Sequence, residues 1–171
     1  MFTSEADRER DDWELIRHAA VSLFRQPEAL EEARAALAAL RYDIATVICD
    51  HGEATFHAGL SGALRWEEQF GLSGWSGNLD ALNDGFRRYP FGRSGCAALV
   101  LSGFQAIVAR DRTFAREVLD IIEYQARNHL LHGHVLICLV ETRGRSYDPG
   151  PLGARAALLN PWEQSRGHGK P

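Results

Sequence analysis

The chain has 171 residues, 45% of them apolar and 25% charged, with a formal net charge of −4. That length buries one good core, so one domain with extensions is expected rather than two domains, and the composition is that of a globular protein. No apolar run approaches the roughly 20 residues of a membrane span, and the first twelve residues lack the basic and apolar regions of a secretory signal.

These exclusions place the expected protein in the cytoplasm, with no membrane partner. Of the three cysteines, Cys49 and Cys138 lie inside apolar, strand-like runs and Cys96 begins another. They read as reduced, buried thiols rather than a disulfide framework.

In chain order, residues 11–40 read as two helices. Trp13, Ile16, Ala20 and Leu23/Phe24 mark one apolar face, Pro27 suits a first helical position, and Leu30, Ala33, Leu37 and Leu40 mark a second face. A helical hairpin is therefore expected, forming an N-terminal extension over residues 1–41 whose function is open. It would pack on the main domain, mediate self-association or contact another protein.

Residues 44–49 are a continuous, mostly β-branched apolar run between Asp43 and Asp50, the pattern of a strand covered on both faces. A helix is expected over 59–70, with Leu60, Leu64 and Trp66 as packing residues. The runs 97–101 and 135–140 read as two further buried strands, and 114–130 as a helix bearing Phe114, Val118, Ile121/Ile122 and Gln125, ended by Gly133. Short apolar strands separated by helix-bearing connections predict an α/β domain over residues 42–141, a small three-stranded parallel sheet packed with helices. Residues 142–171 read as a tail, with a short helix at 154–159.

The stretch 75–88 carries the functional signal. Leu79, Leu82 and Phe86 recur at helical spacing, and Asn78, preceded by Ser76-Gly77, suits a helix cap. Asp80 and Asp84 share another face. Like charges one turn apart cost a few tenths of a kcal/mol, which Arg87 and Arg88 are placed to offset. A solvated face with local ion pairs is one reading. A hydrolytic acid/base pair is another, but no nucleophile or metal motif accompanies the two carboxylates. Trp75 is either an exposed interface anchor or a core residue.

Residues 43–84 hold seven acids (Asp43, Asp50, Glu53, Glu67, Glu68, Asp80, Asp84) and one base (Arg65), a local charge of −6. Such a field disfavours nucleic acid as a direct ligand and favours a basic partner, unless the acids serve only solubility. His129, His132 and His134 fall near a helix C-terminus, where imidazole suits the helix dipole, and are not expected to hold a metal. With no phosphate-binding loop, dinucleotide fingerprint, zinc motif or nucleophile elbow, neither an enzyme nor a cofactor is expected.

The run Trp75, Gly77, Asn78-Leu79-Asp80-Ala81-Leu82 and then Asp84 resembles the inhibitory helix of barstar-like ribonuclease inhibitors, and the likeness extends over about residues 42–141. The resemblance implies an inhibitor or immunity protein that binds a basic ribonuclease and blocks its active site with an acidic helix. Asp84 would then be the deepest charge and Asp80 the secondary one. The segment from Trp75 through Gly77 to Asn78 would lie in the interface, and Glu123 on the last helix would add a further acid. The sequence departs from the pattern at Asn83, where family members commonly place an aromatic residue, and at Trp75-Ser76 in place of an aromatic-Gly pair. The alternative is a barstar-fold interaction module with a non-nuclease partner. Oligomeric state is left undecided.

Overall fold

The computed structural model describes residues 10–143 and 147–153. Its elements in chain order are α1 (Asp11–Ile16), β1 (Val21–Phe24), α2 (Pro27–Ala39), β2 (Asp43–Ile48), α3 (Glu53–Ala63), α4 (Trp66–Phe70), α5 (Leu79–Arg87), β3 (Cys96–Ser102), α6 (Gln105–Arg110), α7 (Arg112–Leu131) and β4 (Val135–Glu141).

The α/β expectation holds, with one correction: the parallel sheet has four strands, ordered β1-β4-β3-β2. The extra strand comes from the expected helical hairpin. Val21 to Phe24 lie in parallel register with Cys138 to Glu141. The spacing of Ala20, Leu23 and Phe24 fits a helical face, but Val-Ser-Leu-Phe is also a strand former, and it pairs along an edge of β4 that would otherwise lack hydrogen bonds. Tertiary pairing therefore overrides the helical periodicity. Residues 10–41 belong to the same α/β unit, through β1 in the sheet and through Leu15 and α2 in the core, rather than forming an appended helical pair.

Alternation along β3 and β4 divides the core between the two faces of the sheet. Ala97, Leu99, Leu101, Leu136, Cys138 and Val140 face the larger cluster, beneath α3, α5 and α7. Ala98, Val100, Ile137 and Leu139 face the other cluster, covered by Leu15 of α1 and by Ala29, Leu30, Ala33 and Leu37 of α2. The Tyr42 hydroxyl donates to the buried Asp12 carboxylate at 2.7 Å and ties α1 to the start of β2.

Strand β2 is not covered on both faces as its apolar run implied. It is an edge strand in which Thr46 is exposed and Ile48 retains 36% exposure. The single helix expected over 59–70 starts earlier and is broken, because Arg65 adopts a left-handed conformation at φ 46° between α3 and α4. The short α6 had no counterpart in the sequence reading. Part of the expected tail is packed: Tyr147 and Leu152 are buried in the larger cluster, and Arg116 donates to the Pro149 and Pro151 carbonyls. The helix expected at 154–159 lies outside the described residues.

Candidate functional site

The 75–88 stretch folds as its sequence implied, into a capped helix over a packed loop. The Asn78 side chain accepts the Ala81 N–H at 3.0 Å and closes the N-terminus of α5. Leu82 and Phe86 are fully buried and Leu79 is half-buried, so the apolar stripe faces the core. Gly85 allows close packing against α4; a Cβ there would lie 2.8 Å from Trp66 Cζ3.

Trp75 resolves to the core reading, at 4% exposure. Its indole N–H donates to the Asn78 carbonyl at 2.6 Å, and its backbone N–H donates to Ser61 Oγ at 2.8 Å. The ring packs edge-on to His57, with centroids 4.5 Å apart, and stacks with Phe114 at 6.2 Å. Gly77 has φ 96°, and a Cβ there would lie 3.2 Å from His57 Cε1, so backbone conformation and space both select glycine. Trp75, His57 and Ser61 thus form a platform that fixes the start of α5. His57 falls outside the helix expected over 59–70, because α3 begins at Glu53, and Ser61 falls inside it without being marked as a packing residue. Their spacing of four residues on one helix was the available signal.

Asp80 and Asp84 are both exposed on the side of α5 away from this packing. Neither makes a side-chain hydrogen bond or an ion pair among the described residues. The local ion pairs foreseen with Arg87 and Arg88 do not form; Arg88 lies over the Phe70 ring, 6.0 Å from its centroid. Asn83 is half-buried between the acidic and apolar faces and accepts a hydrogen bond from Gln125 of α7 at 2.7 Å.

Glu123 does not join this surface. It is 1% exposed, and its Oε2 accepts the N–H groups of Ala20 and Val21 at 2.8 and 2.9 Å. The structure therefore brings together Trp75, Gly77, Asn78, Asp80, Asn83 and Asp84 on one segment and assigns Glu123 to the start of β1.

Two exposed carboxylates one turn apart on α5 are suited to ionic recognition. Burial pushes the Cys49 thiol up to about 12 and the Cys138 thiol well above its ordinary value, so neither is a nucleophile near neutral pH. His129 is partly buried, with Nε2 2.7 Å from the Phe86 carbonyl oxygen. No three His, Cys, Asp or Glu side chains are grouped to hold a metal ion among the described residues. No helix among them is long and apolar enough to cross a membrane. Comparison with protein-family models, with curated proteins and with solved structures gave no match.

Proposed function

We propose that the chain is a barstar-like inhibitor that binds a basic ribonuclease and blocks its active site with α5. The observation that carries this reading is the state of Asp80 and Asp84: two exposed carboxylates one turn apart on a helix anchored along its other side, with no cation paired to them among the described residues. Asp80, in the first turn of α5, is favoured by the helix dipole, but Asp84 one turn further on has no such offset and the two carboxylates repel each other. They become useful when a cationic pocket approaches. A ribonuclease presents such a pocket where RNA phosphates bind, and a rigid carboxylate pair substitutes for those phosphates. The buried Trp75-His57-Ser61 platform supports the reading by holding the helix start before the partner arrives, which reduces the ordering cost of association.

Two features modify what the resemblance implied. The sheet carries a fourth strand, and the acid expected from α7 is internal, so the inhibitory charge rests on Asp80 and Asp84. Capture of partners from the native host, at low and then at raised ionic strength, tests the proposal. A ribonuclease that is retained at low salt, released on raising it and inhibited in proportion to added protein supports the reading. Capture only of proteins without nuclease activity favours the interaction-module alternative.

A further inference from the structure

A groove of ≈ 580 Å³ lies between α7, the start of β4 and the connection from α1 to β1, and Gly153 is part of its wall. Its apolar lining includes Ile16 and Ala20 at the two ends of that connection, Val135 of β4, and Tyr124, Leu130 and Leu131 of α7. The α7 side is open: Leu131 is 82% exposed and Tyr124 53%. The polar side chains of the groove, by contrast, already hold partners. Asp120 Oδ1 accepts the Gly153 N–H at 3.0 Å, and Arg127 Nη1 donates to the Gly153 carbonyl at 2.6 Å. Asn128 donates to Gln125 at 3.2 Å, and His18 accepts from Arg17 at 2.6 Å. What the groove still offers is chiefly apolar contact.

Gly153 also fixes where the chain goes next. It passes so close to α7 that a Cβ on it would lie 3.0 Å from Glu123 Cγ and 3.6 Å from the Tyr124 nitrogen. Held through both its N–H and its C=O, it delivers the following residues at the groove itself. Those residues, outside the described part, read Ala154-Arg155-Ala156-Ala157-Leu158-Leu159, apolar apart from Arg155 and followed by Asn160-Pro161. At helical spacing Ala154, Ala157 and Leu158 share one face, and Pro161 sets the stop. We propose that the groove is the docking site of this chain's own segment 154–159, laid along α7 as a short helix with Leu158 against Leu131. The lengths agree: six helical residues span about 9 Å, and the seven steps from Tyr124 to Leu131 about 10 Å. No linker separates the segment from its site, so a contact too weak to hold two molecules together is populated within one. A second copy competes against that advantage. The docked segment straps the junction of α7 with β1 and covers an apolar patch that would otherwise attract other proteins.

The test uses the full-length chain with ¹³C-labelled leucine methyl groups and no nuclease, so it is independent of the α5 proposal. Leu131→Met and Leu158→Met assign the two key resonances. Nuclear Overhauser contacts are expected between the methyl groups of Leu158 or Leu159 and those of Leu130 or Leu131. In an equal mixture of labelled and unlabelled chains, an isotope-filtered spectrum should show no such contact between chains. Replacing Leu158 and Leu159 together by Ser should shift the Leu130 and Leu131 methyl resonances while leaving those of Leu79, on α5, in place. Absence of the contacts in the wild-type chain, contacts found only between chains, or groove resonances unmoved by the double Ser variant would each overturn the proposal, the second by making another copy the occupant.

Discussion

Glu123 Oε2 accepts the backbone N–H of Val21 at 2.9 Å, across 102 positions of sequence. The same oxygen takes the Ala20 N–H, so one buried carboxylate on α7 fixes the first residues of β1 beside β4. Replacing Glu123 with Ala strands two amide donors and should destabilise the fold by about 2–4 kcal/mol. Deleting residues 1–40, which removes β1 and α2, should abolish cooperative unfolding. Urea denaturation followed by circular dichroism checks both. A truncated chain that melts like the intact protein would show that β1 and α2 are dispensable.

Stability should fall as the solution is acidified below neutrality, in two stages. Desolvation holds the His57 imidazole below its ordinary value of 6.5, against a raising contribution from Glu53, and desolvation likewise lowers His129 against its Phe86 hydrogen bond. A lowered histidine binds its proton more weakly when folded. Its contribution is complete above 6.5 and is lost as pH falls from there through the folded value. Glu141 acts lower down: burial alone would raise it, but hydrogen bonds from Ser102, Gly103 and Arg143 outweigh burial and leave it below 4.5. That carboxylate contributes above 4.5 and loses its contribution as pH falls further. Melting temperatures across this range should decline in both stages, and His57→Gln should flatten the first. A profile level from pH 7 to about pH 5 would contradict the histidine assignment.

Gly85→Ala sets two effects against each other. Alanine favours a helix interior by about 1 kcal/mol over glycine. Its Cβ, however, would lie 2.8 Å from Trp66 Cζ3 and 3.2 Å from Leu64 Cδ1. Overpacking a filled core costs typically about 1–3 kcal/mol. The clash should prevail, giving a lower denaturation midpoint and altered Trp66 fluorescence. A stabilised variant would mean that α4 moves aside freely.

The elements readable in the sequence were those whose local pattern and tertiary role agree. The runs around Val100 and Ile137 are apolar because both faces of β3 and β4 are covered, and the Leu79-Leu82-Phe86 stripe is apolar because it faces the core. The unreadable elements were decided at long range. Val21 to Phe24 became a strand through β4, more than a hundred residues away, and Arg65 ended a helix by taking a left-handed conformation that no local signal announced. The site divides similarly. Asn78, Asp80 and Asp84 follow from helical spacing, whereas the placement of Trp75 in the core and of Glu123 beneath β1 depends on partners remote in sequence.

If α5 is the inhibitory element, Asp84→Ala must weaken inhibition without unfolding the protein. Because Asp84 is exposed and unpaired among the described residues, its removal should change folding stability by no more than about 0.5 kcal/mol. If it enters a cationic pocket, the same change leaves the partner's desolvated positive charge without a counterion, at a cost on the order of 2–5 kcal/mol, chiefly as faster dissociation. Asp80→Ala should cost less. The deciding measurement is the inhibition titration of the captured ribonuclease with wild type and with Asp84→Ala, after circular dichroism has shown both to be equally folded. A large loss of potency with stability unchanged is expected; equal potency of the two proteins would exclude α5 as the inhibitory element.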